Sequence, residues 1–134
     1  MISREPINPN RIRRITGSFS WLDHRLLHDG FLTAMSPQEM LLYFFLVLVG
    51  DKNGISFYSY DKICALLKLE LDAFIQARDR LVARSLIACE AGRYQVLDLP
   101  KKPVIIERPP PAKEPLRFGA PYQLAEIFKQ LANK

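Results

Sequence analysis

His24 and His28 stand four residues apart in WLDHRLLHDG, a spacing that sets two imidazoles on one helix face and could open a zinc site. The chemistry needs more than that. Arg25 follows the first histidine, where a zinc hydrolase of the His-Glu-x-x-His type places the glutamate that activates water, and no cysteine or carboxylate is spaced to complete four ligands. No metal and no cofactor are therefore expected. The chain has no glycine-rich phosphate loop, no nucleophile elbow and no pair of carboxylates that spacing brings together, so it is not expected to be an enzyme.

The arginines suggest a different chemistry. Arg11, Arg13 and Arg14 lie within four residues, in a segment with Pro6, Pro9 and no sustained apolar period. Such an extended basic arm can enter the narrow, electronegative minor groove of DNA, and it can equally be a solvated tail. The net charge of +5 is uneven: residues 1–35 contribute +2, residues 36–100 contribute −1 and residues 101–134 contribute +4. Since phosphate neutralisation supplies much of the affinity for nucleic acid, the flanks are better suited than the middle to hold a polyanion.

The segments between these flanks must position any contact. At 134 residues, 49% hydrophobic and 25% charged, the chain suits one ordinary domain with tails. Its longest apolar run, residues 40–49, is half the roughly 20 residues of a membrane-spanning helix. The opening residues lack the apolar centre of a secretory signal, so the protein is expected in the cytoplasm and away from membranes. Cys64 and Cys89 have no ligand or disulfide spacing and are expected to be small core residues.

Ser20 is a candidate cap for a short helix through Trp21, Leu22, Leu26 and Leu27, ended by Gly30. Ser36-Pro37-Gln38-Glu39 has the residues of a capping box with proline in the first turn, and it opens a helix apolar on every face through residue 49. That helix must be enclosed on most sides or lie at an interface. A turn at residues 50–54 leads into a short strand over residues 55–58. Ser59 caps a helix whose Ile63, Leu66 and Leu67 form one stripe. A further helix over residues 72–84 buries Phe74, Ile75, Ala77, Leu81 and Val82, leaving Asp72, Gln76, Asp79, Arg80 and Ala83 on a free side. Residues 86–90 and 93–99 then pair around Ala91-Gly92.

The result is a mainly α chain with a small antiparallel sheet. SFYSYDKICALLKLELDAFIQARDRLVARSLIACEAGRYQVLDL resembles the winged helix-turn-helix family, in which a helix ending in leucine leads through Leu-x-x-x-Gly-Leu-Ile into a β wing. Here that passage is Leu81-Val82-Ala83-Arg84-Ser85-Leu86-Ile87, with Ser85 at the usual glycine, and the turn Leu69-Glu70 also lacks glycine. Residues 18–99 further resemble the N-terminal winged-helix domains of bacterial primosomal proteins and plasmid replication initiators. The opening MISREPINPNRIR is similar to small helix-turn-helix proteins of bacterial mobile elements.

The resemblance implies a non-catalytic protein binding double-stranded DNA, in replication, mobile-element or transcription-regulatory work. On it, Gln76 would read a base edge, Arg80, Arg84 and Lys68 would meet phosphates, and Arg93 would sit at the tip of the wing. Glu70 and Asp72 oppose phosphate contact, although carboxylates also stabilise a helix N-terminus. Arg78 falls among the apolar positions of its helix, so either it pairs with a carboxylate, Asp61 or Glu39, while its stem packs on the core, or the helix is rotated and Arg78 reaches solvent at a rim. The other class of function is a protein-interaction adaptor that oligomerises or recruits an enzyme through its apolar helices.

The expected organisation is an arm over residues 1–17, a winged-helix domain over 18–99, a Pro-rich linker over 100–119 and a C-terminal amphipathic helix over 120–134. Leu124, Ile127, Phe128 and Leu131 form the last helix's apolar stripe, expected to dock on the chain's own domain, on a second copy or on a protein partner.

Overall fold

The computed structural model describes residues 3–106. Residues 3–104 belong to one compact unit, which ends at Val104. The expectations for Leu124, Ile127, Phe128 and Leu131, and for the linker beyond residue 106, lie outside the described residues.

The described residues are mainly helical with a small three-stranded antiparallel sheet. After a single 3-10 turn at Pro9–Arg11, two four-residue helices follow, α1 (Arg25–His28) and α2 (Phe31–Ala34). The helix expected from Ser20 is shorter at its start, and Trp21 is 74% exposed. Asp23 is the competitor that wins: its carboxylate accepts from the Arg25 N–H at 2.9 Å and its carbonyl from that of Leu26. Ser20 instead donates its hydroxyl to the Leu48 carbonyl. Gly30, at φ 88°, separates α1 from α2.

Helix α3 (Pro37–Val49) begins as its capping residues require, with Ser36 Oγ accepting from the Glu39 N–H at 3.2 Å. The Glu39 carboxylate does not accept from the Ser36 N–H as a full capping box requires; it is buried at 1% exposure beside the Ser36 hydroxyl. Asp51 then organises the turn, accepting from the N–H groups of Asn53 and Ile55. Gly54 has φ 82°, and its carbonyl accepts from the Val96 N–H; a Cβ there would lie 2.7 Å from the Val96 oxygen. Only glycine lets β1 (Ile55–Ser56) approach the sheet this closely.

Helix α4 (Tyr60–Leu67) and helix α5 (Leu71–Ala83) are joined through Lys68, which takes the left-handed conformation at φ 58°. In α4 Ile63 is fully buried and Leu67 half-buried, but Leu66 is 58% exposed, contrary to the three-residue stripe expected. Leu66 lies round the helix from Ile63 on the side away from Cys64 and Leu67, which pack on the core.

Strands β2 (Ile87–Glu90) and β3 (Arg93–Val96) form a hairpin with Cys89 opposite Tyr94, and β1 lies against the other side of β3. Ala91 and Gly92 have φ of 52° and 79°, the positive pair that a two-residue hairpin turn favours. Ser85, at φ 63°, also takes the left-handed conformation between α5 and the sheet. In β2 only the first residue, Ile87, is buried, since the strand runs out from the core towards the hairpin turn. Cys89 is accordingly exposed rather than in the core, while Cys64 is half-buried; both are free thiols.

Leu42 and Leu46 of α3, Ile63, Phe74, Leu81, Leu86 and Ile87 form the dry centre. Leu26, Phe31 and Met35 extend it towards α1 and α2. Arg25 donates from Nη2 to the carbonyls of Pro100 and Lys101 while its Nε pairs with Asp29, so the chain leaving the hairpin is held to α1.

Candidate nucleic-acid interface

Helix α5 has two sides with different chemistry. Phe74, Ala77 and Leu81 are buried, and Leu71, Asp72, Gln76, Asp79, Val82 and Ala83 are exposed. The free side is thus acidic and apolar around a single amide, Gln76. Val82, expected in the packed set, is 41% exposed because the stripe through Ala77 and Leu81 runs to one side of it.

Arg80 and Arg84 are not on that free side. Arg84 Nε donates to Glu39 Oε1 at 2.7 Å and its Nη2 to the Ala34 carbonyl at 2.7 Å, leaving the residue 8% exposed. Arg80 Nε donates to Glu39 Oε2 at 2.8 Å, with about a third of its side chain still in water. Both carboxylate oxygens of Glu39 therefore carry a guanidinium, the arrangement that makes a buried charge tolerable. Burial pushes the Glu39 carboxyl up, but hydrogen bonds from Arg84 and Arg80 outweigh it and hold the group below the usual glutamate range.

A buried glutamate does pair with α5, but Arg78 is not its partner. Arg78 Nε donates to the neighbouring Asp79 at 3.1 Å, and its guanidinium lies 5.7 Å from the centre of the Phe74 ring. The guanidinium itself lies over the aromatic face and its partner is the exposed carboxylate of Asp79, so no buried carboxylate is required. Spacing carries the signal for the true pair: Arg84 is seven residues from Ala77 and Arg80 three, so both follow the buried stripe. Glu39 is hidden in the sequence by its second role in the expected capping box.

The other cations have different surroundings. Arg11, Arg13 and Arg14 are exposed and form no ion pair among the described residues. Lys68 is exposed at the α4–α5 turn. Arg93, beside the hairpin turn, stands 3.7 Å from Glu90 with half its side chain exposed, a loose pair that competition can open. These residues lie on three separate elements: the arm, the α4–α5 turn and the hairpin.

His24 and His28 face each other edge to face, with ring centres 6.3 Å apart. Among the described residues no group of three His, Cys, Asp or Glu side chains is gathered to hold a metal, and no helix is long and apolar enough to cross a membrane. Beside the sheet lies an open hollow of about 130 Å³ between Ile55, Ala88, Cys89, Arg93 and Gln95. It is below the roughly 300 Å³ at which small-molecule sites begin.

Comparison of the chain with protein-family models, with curated proteins and with solved structures finds no match in any of the three.

Proposed function

We propose that this chain is a non-catalytic, cytoplasmic protein of winged-helix type that binds double-stranded DNA mainly through its arm. The order α3, β1, α4, α5, β2 and β3 supports the winged-helix reading. Arg11, Arg13 and Arg14 make the principal phosphate or minor-groove contacts, with Lys68 and Arg93 as further cations. One observation carries this reading: the arm arginines are exposed and unpaired among the described residues, whereas Arg80 and Arg84 are held by Glu39. On this reading the protein binds DNA as a factor in replication, mobile-element or transcription-regulatory work, without a strong sequence code of its own. Titration of the full chain with duplex DNA at several salt concentrations tests it, since phosphate-driven binding must weaken steeply with salt. Salt-independent binding, or none, overturns it.

A protein-interaction adaptor is the second reading, and the exposed side of α5 favours it. Leu71, Asp72 and Asp79 suit a basic, partly apolar protein surface better than a phosphate backbone. Gln76→Ala separates the uses of α5: major-groove reading would lose about 1–3 kcal/mol at one sequence and little at others. The arm-led reading expects no such selective loss.

A further inference from the structure

Helix α3 carries more apolar surface than the described fold covers. Leu42, Tyr43 and Leu46 face the core and are buried with Glu39. On the opposite side Leu41, Phe44 and Leu48 follow one another at i, i+3 and i+7; Leu41 is 41% exposed, Leu48 is 70% exposed and Phe44 is half-buried. The Ser20 hydroxyl donates to the Leu48 carbonyl, bringing its chain neighbours Phe19 and Trp21 to the last turn of α3, and both aromatic residues are at least two-thirds exposed.

We propose that this ridge joins two copies of the chain, with α3 set against α3 of the second copy about a two-fold axis. In such a contact the same patch faces itself, so any charge on it would oppose a like charge. The ridge has none, because the lone ionised side chain of α3, Glu39, points the other way. A partner recognised by charge would find nothing to pair with here.

The area also suits a modest dimer. Taking about 150–250 Å² for a whole aromatic side chain, Phe19 and Trp21 with Leu22, Leu41 and Leu48 expose on the order of 500–600 Å² per copy. A polar rim brings this towards the roughly 800 Å² that each partner gives to a standard interface. The ridge lies across α3 from α5 and shares no residue with the arm or the hairpin cations, so the dimer stands independently of DNA binding.

The test uses the full chain. Sedimentation should show the mass rising to that of two chains as concentration approaches roughly 100 µM. Trp21 is the chain's one tryptophan, so its fluorescence should shift to the blue over the same range. Leu48→Glu and, separately, Leu41→Glu would place an unpaired charge at the axis and weaken association on the order of a hundredfold, with the thermal midpoint of the dilute monomer unchanged. Trp21→Ala, outside any helix, should weaken association without risk to α3. A full chain that stays monomeric overturns the proposal. So does a dimer that survives all three substitutions, or one lost only when residues 107–134 are removed.

Discussion

Two groups of arginines in this chain do opposite work. Arg80 and Arg84 lie on the packed side of α5, where both oxygens of a buried glutamate hold them and fix α5 to α3. Arg11, Arg13 and Arg14 lie on the arm, exposed and unpaired among the described residues. A guanidinium desolvated and saturated with hydrogen bonds is part of the fold; one left in water keeps its charge for a polyanion. Two of the cations along α5 and its C-terminus, Arg80 and Arg84, are thus engaged by Glu39 inside the fold.

The sharpest way to break the contrast is to remove Glu39. Glu39→Ala leaves Arg84 buried without its carboxylate and should lower stability by about 3–5 kcal/mol, measured by urea unfolding. A loss below about 1 kcal/mol would mean that the guanidinium reaches water and that the pair does not organise the interior. Replacing the pair together, Glu39→Met with Arg84→Met, should recover most of that loss, since a well-packed apolar pair removes the desolvation cost of both ions. Failure to recover would show that Arg84's bond to the Ala34 carbonyl, or Arg80's need of a partner, dominates.

Acid should act on the same side of the contrast. The folded carboxyl of Glu39 is held below its unfolded value. Its contribution is therefore complete above the unfolded pKa, about 4.3, and is lost as pH falls through the folded value. Unfolding free energy followed from pH 6 downward should decline more steeply in the native chain than in Glu39→Gln. Parallel profiles would contradict the linkage.

Gly54→Ala probes the backbone that carries the sheet rather than its charges. A Cβ placed 2.7 Å from the Val96 oxygen at positive φ should cost about 1–3 kcal/mol in thermal or urea unfolding. A neutral result would show that β1 can move away without loss.

Arg78 sharpens the comparison from the small end, since its side chain is as exposed as that of Arg80 but its carboxylate partner, Asp79, lies in water rather than in the core. Arg78→Met keeps an apolar side chain there but loses the pair with Asp79 and the guanidinium's contact with the Phe74 ring, so stability should fall by no more than about 1 kcal/mol. A large loss would return Arg78 to the interior group.

The contrast between Glu39 and Arg78 also shows which features are legible in the sequence. Ser36, Pro37 and the turn residues Ala91 and Gly92 act locally, through their own hydrogen bonds and φ preferences, and the elements they predict are present. Ser20 does not cap its helix because Asp23, three residues on, offers a carboxylate to the same short segment. The positions of Arg78, Arg80 and Arg84 depend on the rotation of α5 against α3, a long-range choice made by packing. Spacing from Ala77 puts Arg80 and Arg84 along the buried stripe, but reading Phe74, Ile75, Leu81 and Val82 as one packed arc centres that arc on Arg78, because the exposure of Val82 is set by packing and not by sequence.

The most direct measurement is the salt dependence of duplex DNA binding by the full chain and by the chain with Arg11, Arg13 and Arg14 all replaced by glutamine. Each phosphate that is no longer neutralised should reduce the slope of log affinity against log salt by about 0.9, so the triple variant should bind more weakly with a slope shallower by roughly 2–3. Equal affinity and equal slope in the two proteins would contradict the account, because DNA would then be held by the core and the exposed arm arginines would be a solvated tail.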